Sequence, residues 1–157
     1  MEIQHPRNCH GITMVEFIMS VMLVTLMLTL MVPAALRLID DAREDNVISQ
    51  LEEIQERIDD FYKSNSRYPI SLVEIYESVP MDPWNNPYQY LSLSDGLQKT
   101  RGQARKYKGM KLINSDYDLY SMGPDGKSVP PLTAEASRDD VIRAQNGKFI
   151  GNVSDFE

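Results

Sequence analysis

The feature that most constrains this chain is an uninterrupted apolar run from Phe17 to Leu36. Its twenty residues carry no charge. An α-helix rises about 1.5 Å per residue, so the run would reach roughly 30 Å, the thickness of one hydrocarbon core. The hydroxyls of Ser20, Thr25 and Thr29 can donate to carbonyls of the same helix. We therefore expect a helix that crosses a membrane once.

A secretory signal peptide is the alternative interpretation of this segment. Signal peptides usually have a basic start, a shorter apolar core and a small-residue cleavage site after it. Here Glu2 offsets Arg7 at the start, and the apolar core is long. The residues Pro-Ala-Ala-Leu at 33–36 could mimic a cleavage site, but the pattern as a whole favours a retained anchor.

A carboxylate, Glu16, stands directly before the apolar run. A charged side chain at the centre of a membrane helix costs about 2.5–3.5 kcal/mol, and less near its edge, so such a residue usually has a partner. Cleavage after Gly11 would supply one. The new α-amino group of Ile12 would lie one helical turn from Glu16 in the same subunit, and within reach of Glu16 in a neighbouring subunit.

The order of these residues resembles the amino-terminal signal of type IV pilin-like proteins. Gly11, Ile12, Thr13 and Glu16 hold the places of the leader glycine, an apolar residue, a threonine and a glutamate. The resemblance implies that a prepilin peptidase cuts after Gly11 and methylates the new amine of Ile12. It also implies that Glu16 guides polymerisation and that Pro33 stands where many pilins carry a helix-bending proline.

The resemblance, rather than the charge pattern, sets the expected orientation. Arg7 lies on one side of the apolar run and Arg37 and Arg43 lie on the other, so the distribution of basic residues does not place the amino terminus inside. By resemblance, residues 1–11 are a cytoplasmic leader, and residues 12–36 are a transmembrane and polymerisation helix in the bacterial inner membrane. The remainder would lie in the periplasm.

The apolar run continues into a segment with a different pattern. Between residues 37 and 64 no proline or glycine interrupts the chain, and apolar residues recur at steps of three and four. That spacing predicts an amphipathic helix with one buried face. A single helix would then run from about residue 12 to 64. The apolar positions of its face are Val47, Ile48, Leu51, Ile54, Ile58, Phe61 and Tyr62.

Residues 65–157 are expected to form a globular head. The Tyr-Pro pair at 68–69 halts the helix, because a residue before proline is driven out of the helical region. A short helix is predicted at Ile70–Ser78, with Leu72, Val73 and Ile75 facing inward.

Two later segments have the composition of β-strands. Tyr88–Leu93 follows a turn rich in proline and asparagine, and Asp116–Met122 alternates polar and apolar residues. The tail at Lys148–Val153 is a candidate for a last strand. A lone two-stranded hairpin is only marginally stable, so the amphipathic helix should provide the core. The expected class is α+β, with a long helix packed on a small antiparallel sheet and an acidic loop near the carboxyl terminus.

Three head motifs extend the resemblance to the major (G-type) pseudopilin of the type II secretion system. They are DPWNNPYQYLS at 82–92, DYDLYSMGPDGKS at 116–128 and DDVI at 139–142. The resemblance implies a pilin-like fold and a structural subunit, not an enzyme. Its partners would be further copies in a helical homopolymer, minor pseudopilins, the prepilin peptidase and the inner-membrane assembly platform. The filament would help export folded proteins across the outer membrane.

The resemblance also implies a calcium ion in the loop that follows the predicted strand Asp116–Met122. Calcium takes about six to eight oxygen ligands. Asp125 and Asp140 would supply carboxylates, with Asp139 as a substitute, and the carbonyls near Leu119 and Ser121 or the Ser121 hydroxyl would complete the shell. The family's glycine pair is absent, and VPPLTAEAS stands in its place. The alternative is that these acids only solvate a loop.

A basic stretch from Leu97 to Lys111 is not explained by the resemblance. It carries six Lys and Arg residues and no acid: Lys99, Arg101, Arg105, Lys106, Lys108 and Lys111. One interpretation is a patch that meets an anionic partner or the acidic helix surface of a neighbouring subunit, formed by Asp40, Asp41, Glu44 and Asp45. The other, which we favour for any specific ligand, is a long solvated loop.

Composition limits the remaining functions. The net charge of −7 argues against a general nucleic-acid binder, which needs clustered basic residues. The single cysteine, Cys9, and both histidines, His5 and His10, precede the predicted cut. The mature chain would lack Cys–His and Ser–His–Asp catalysis and the nitrogen and sulfur ligands of zinc. The rival functions are a type IV pilin for adhesion, motility or DNA uptake, and a membrane-tethered enzyme using carboxylate or lysine chemistry.

Overall fold

The computed structural model describes residues 11–94, 98–109 and 111–156. The first ten residues of the predicted leader, with Cys9 and both histidines, lie outside the described residues. The chain divides into two compact units, Met1–Asp40 and Asp41–Glu157.

The first unit contains the apolar part of helix α1, which begins at Met14 and ends at Asn65. All side chains from 17 to 36 are exposed, and Pro33 lies inside the helix without ending it. The hydroxyls of Ser20, Thr25 and Thr29 donate to helix carbonyls at 2.7, 2.9 and 2.8 Å, as predicted. By length and composition α1 can cross a membrane, which is compatible with a single-pass anchor, although a signal sequence meets the same criterion.

The second unit begins with the amphipathic part of α1. Four residues of the predicted apolar face, Val47, Leu51, Ile54 and Ile58, are buried in the main core. The face is narrower than predicted, because Tyr62 is 44% exposed and stacks on the ring of Tyr68 at the surface end of the helix. The other buried residues of this core are Leu72, Tyr88, Tyr117, Leu119 and Val141.

The helix ends before the Tyr-Pro pair. Asn65 is its last residue, and Ser66 takes a left-handed conformation with φ 55°. The predicted helix at Ile70–Ser78 is wrong: the structure has one 3₁₀ turn, Leu72–Glu74, in which Leu72 is buried and Val73 is 56% exposed. A helix as short as the predicted Ile70–Ser78 gains too few hydrogen bonds to offset the cost of nucleation.

Four antiparallel strands form the main sheet, in the order β1-β4-β5-β6. They are β1 (Gln89–Ser92), β4 (Tyr117–Ser121), β5 (Val141–Ala144) and β6 (Phe149–Asn152). The strands predicted at Tyr88–Leu93, Asp116–Met122 and Lys148–Val153 are confirmed within a residue or two. Tyr90 lies opposite Leu119, Tyr120 opposite Ile142, and Ile142 opposite Gly151.

Strand β5 was not among the strands predicted from the sequence. Val141 belongs to the main core, whereas Ile142 belongs to a second cluster with Leu132 and Phe156. Successive strand residues point to opposite faces, so both faces of the sheet are covered here. A strand buried on both faces lacks the polar and apolar alternation that reveals strands in a sequence.

The prediction of a long loop from Leu97 to Lys111 is wrong. The described part of this stretch contains helix α2 (Gln98–Gln103) and two short paired strands, β2 (Lys106–Tyr107) and β3 (Lys111–Leu112). Gln, Lys and Arg are good helix formers, and Gly109, with φ 74°, supplies the left-handed residue between the strands. In the described residues of the head there are also four 3₁₀ turns: Leu72–Glu74, Glu135–Ser137, Gln145–Gly147 and Val153–Asp155.

Candidate functional site

The start of α1 is closed by a reciprocal pair of polar groups. Glu16 donates its backbone N–H to Thr13 Oγ1 at 3.2 Å, and its carboxylate accepts from the backbone N–H of Thr13 at 3.5 Å. This is a capping box, in which a Thr before the helix and a Glu three residues later satisfy each other's free amides. The Thr-x-x-Glu spacing before an apolar run is the sequence signal that predicts such a box.

Glu16 therefore has a local role besides the predicted one in assembly. Gly11 and Ile12 precede the helix. Ile12 is 75% exposed, and among the described residues nothing lies within 4 Å of where a side chain on Gly11 would point. The described part of the predicted cleavage site is thus exposed. Cleavage itself, methylation of Ile12 and the roles of Glu16 and Pro33 in assembly stay predictions.

In the head, Ser121, one of the predicted calcium ligands, binds instead to Asp82 in the turn of the DPWNNP motif. The buried carboxylate of Asp82 accepts from the backbone N–H groups of Trp84 and Asn86 at 3.0 and 2.8 Å. Its other oxygen accepts from the Ser121 hydroxyl at 2.5 Å. The motif turn is thereby fixed to the end of β4, and the Ser121 hydroxyl donates its hydrogen bond to Asp82. Leu119, whose carbonyl was another predicted ligand, lies buried in the same strand.

The GPDG turn brings two predicted acids together. The backbone N–H of Asp125 donates to Asp139 Oδ2 at 3.3 Å, and Asp125 Oδ1 accepts from the backbone N–H of Lys127 at 2.7 Å. Gly123, with φ 63°, packs so closely that a Cβ there would lie 2.3 Å from the carbonyl oxygen of Asp139. A side chain at this position would therefore displace the backbone before β5.

The third predicted acid, Asp140, has a different environment. It is fully buried, accepts from Ser128 Oγ at 2.5 Å, and forms an ion pair with the guanidinium of Arg105. Burial raises the pKa of Asp140 to about 6, while the hydrogen bond from Ser128 and the charge of Arg105 oppose that rise. The carboxylate is therefore ionised at neutral pH and holds its cation inside the head.

Arg105 is a buried member of the basic stretch, only 2% exposed, whereas Arg101 and Lys111 are exposed. The expectation of a solvated loop is thus wrong for Arg105. Its guanidinium donates to the carbonyl oxygen of Val129 at 2.5 Å and lies 4.2 Å from the centre of the Tyr120 ring.

The predicted calcium ligands do not form one coordination shell. Asp140 is paired with Arg105, Ser121 donates its hydroxyl to Asp82, and Asp125 accepts from the turn backbone. Within residues 11–94, 98–109 and 111–156 no group of three or more acid, His or Cys side chains could hold a metal ion. The residues present do not fit the implied ion in this arrangement, and calcium binding stays a prediction of the resemblance.

A second buried arginine joins the helix to the sheet. Arg143 in β5 donates to Asp116 at 2.7 and 3.0 Å and to Gln55 of α1 at 2.6 Å. Its guanidinium lies 3.9 Å from the centre of the Tyr117 ring. Its partners are far away in the chain, so the sequence alone gives no sign that this residue is buried.

The sequence indicated two surfaces for contacts between copies, an acidic one on α1 and a basic one at 97–111. Both have exposed charged residues in the structure. On α1, Asp40, Asp41 and Asp45 are exposed, and the pKa of Glu44 is raised by partial burial and by the charge of Asp155. Because Arg105 is buried, the basic surface is smaller than the sequence indicated.

Two curated relatives resemble the chain over most of its length. It is 26% identical over 142 residues to the type II secretion system core protein G of Pseudomonas aeruginosa (strain ATCC 15692), covering 77% of this chain and 87% of that protein. It is 26% identical over 172 residues to the protein of the same name from Aeromonas hydrophila, covering 96% and 98%.

No protein-family model matches the chain, and no solved structure matches it significantly. The chain itself has a pilin-like α+β fold, with a long amino-terminal helix and a small antiparallel sheet. Its similarity to the two core proteins G over most of its length supports a relationship to the G-type pseudopilins of the type II secretion system.

Proposed function

We propose that this chain is a structural subunit of a type II secretion pseudopilus, a pilus-like filament that helps drive folded proteins across the outer membrane. The observation that carries the proposal is that residues 17–36 expose every apolar side chain. A helix of this kind needs lipid before assembly and neighbouring helices after it. The similarity to core proteins G, which covers 96% of this chain for the Aeromonas hydrophila protein, supports the secretion function.

In this proposal a prepilin peptidase cuts after Gly11 and methylates Ile12. The mature subunit waits in the inner membrane with its head in the periplasm. An assembly platform in that membrane adds it to the filament, where it meets further copies of itself and minor pseudopilins. The positive amine of one subunit pairs with Glu16 of a neighbour, because an unpaired carboxylate in an apolar medium is penalised.

The proposed role is structural rather than catalytic. The relatives carry names that describe a core component of a secretion system. Three of the buried charged groups of the head, Arg105, Asp140 and Arg143, form ion pairs with one another or with Asp116 in contacts that hold the fold together.

Deleting the gene in its host and complementing it in trans tests the proposal. We expect secreted enzymes to accumulate in the periplasm, twitching motility to remain intact, and the wild-type gene to restore secretion. Lost motility with intact secretion would instead establish the type IV pilin function.

Mass spectrometry of the membrane form tests the processing step separately. The expected amino terminus is Ile12 carrying one methyl group. A protein that retains the residues before Ile12 in a secreting strain would refute the proposed maturation.

A further inference from the structure

The loop between β4 and β5 closes around one side chain. From the loop side, the Val129 carbonyl and the Asp140 carboxylate both accept from the guanidinium of Arg105. From the sheet side, the ring of Tyr120 lies against the same guanidinium, and Asp118 accepts from the backbone N–H of Arg105 at 2.6 Å. Arg105 therefore joins the middle of the loop, at Val129, and its far end, at Asp140, to β4.

The backbone around Arg105 fastens the same loop. The N–H of Lys106 donates to the carbonyl of Pro130, and the N–H of Leu132 donates to the carbonyl of Lys106, both at 2.9 Å. The loop thus runs beside β2 as an added strand-like segment. Ser137 reinforces it by exchanging hydrogen bonds with the N–H and carbonyl of Val129, both at 2.9 Å.

The chemistry of this pocket suits a guanidinium. A guanidinium presents flat, forked donors and stacks on aromatic faces, and the pocket offers a carbonyl, a carboxylate and the face of Tyr120. Arg105 Nε and Asp140 Oδ1 are buried without a partner among the described residues. They are a donor and an acceptor on the same ion pair, so a second bond between these two side chains would satisfy both. Calcium instead needs about six to eight oxygen ligands.

We propose that the guanidinium of Arg105 is the internal cation that closes the loop at 122–140, in the place where the resemblance implies calcium, and that the head folds without that ion. The basic stretch at 97–111 then has a structural function, because it contains Arg105. The inference concerns the stability of the head and is independent of the role in secretion, so failure of one leaves the other standing.

The first experiment adds calcium to the wild-type chain. The full chain in detergent micelles is melted in EGTA and in millimolar calcium chloride, with Trp84 fluorescence reporting on the head. We expect identical Tm values, and no calcium binding by isothermal titration calorimetry. A calcium-dependent rise in Tm, or binding of one calcium ion per chain, would overturn the proposal.

The second experiment removes the internal cation. Arg105→Met keeps most of the side-chain volume but leaves Asp140 buried and unpaired, so we expect Tm to fall by roughly 10 °C or more. The matched control is Arg101→Met, which removes an exposed charge from the same stretch and should leave Tm unchanged. Equal Tm values for Arg105→Met and the wild type would refute the inference.

A double substitution covers the case in which Arg105→Met does not fold. Arg105→Met combined with Asp140→Leu removes both buried charges, and we expect a folded protein that melts above either single variant. If the double variant also fails to fold, or if its loss of Tm equals or exceeds the sum of the losses of the two single variants where both fold, Arg105 and Asp140 do not act as a pair and the proposal fails.

Discussion

The two parts of α1 use similar apolar residues in opposite surroundings. Residues 17–36 leave every side chain exposed, whereas Val47, Leu51, Ile54 and Ile58 are almost fully buried by the sheet and turns of the head. The head part therefore obtains its stability from its own chain, and the first part must obtain a partner from lipid or from other copies. Substitutions in the first part should change assembly, and those in the second part should change stability.

The largest expected effect is the loss of filaments in Glu16→Gln. Glutamine can keep the capping box with Thr13, because its amide oxygen still accepts a hydrogen bond. It cannot attract the amine of a neighbouring subunit. We expect filaments to fall about tenfold or more, as for Glu16→Ala. Filaments sheared from cells and counted by immunoblotting measure the loss.

Thr13→Ala is the matched control for that variant. It removes the hydroxyl that accepts from Glu16 but keeps the charge, so filaments should persist near the wild-type level. If Glu16→Gln assembles normally while Thr13→Ala does not, the helix cap rather than the charge is what assembly requires.

The same substitution in both parts of α1 tests the comparison directly. Leu51→Ala leaves a cavity in the main core and should lower the free energy of unfolding of the head by about 2–5 kcal/mol. Leu26→Ala, at a position 59% exposed, should leave it unchanged. Urea unfolding of the full chain in micelles, followed by Trp84 fluorescence, measures both. Equal losses would mean that the two parts of the helix are not energetically separate.

The sequence revealed the elements whose pattern is local. The steps of three and four among Val47, Leu51, Ile54 and Ile58 predicted the buried face of α1, and the alternation in Asp116–Met122 predicted β4. These patterns follow from the geometry of a single helix or strand, so one chain is enough to read them.

The sequence did not reveal groups that depend on distant partners. Arg105 stands among basic residues and reads as solvated, since its partner Asp140 lies 35 positions later. The burial of Arg143 was missed for the same reason, because its partner Gln55 lies 88 positions earlier. The resemblance assigned the three candidate acids, Asp125, Asp139 and Asp140, to a calcium ion. In the structure Asp140 forms an ion pair with Arg105.

A smaller effect is expected at alkaline pH, again confined to the head. Burial raises the pKa of Tyr88 and Tyr117 above the ordinary value of 10.0. Since the unfolded chain loses these protons first, their contribution is full below pH 10.0 and falls as pH rises above it. Each of these tyrosines lowers the free energy of unfolding by at most about 1.4 kcal/mol per pH unit in this range.

Tyr117→Phe checks the assignment of that loss. In this variant the free energy of unfolding, measured with urea, should fall less steeply with pH above the ordinary tyrosine pKa, because one of the buried phenols has been removed. The phenolate absorbance that Tyr117→Phe removes should rise in the wild type together with unfolding. If that part of the absorbance appears before any loss of Trp84 signal, the burial of Tyr117 is contradicted.

The smallest effect belongs to the polar face of α1. Arg57 and Glu53 form an exposed ion pair at 3.0 Å, four residues apart, with more than half of each side chain in water. Water and salt already screen both charges, so Arg57→Ala should leave the Tm of the head within error of the wild type. A drop as large as that of Leu51→Ala would show that the head depends on its surface charges. An unchanged Tm with fewer filaments would instead place Arg57 at a contact between subunits, which would give the second part of α1 a share in assembly as well as in folding.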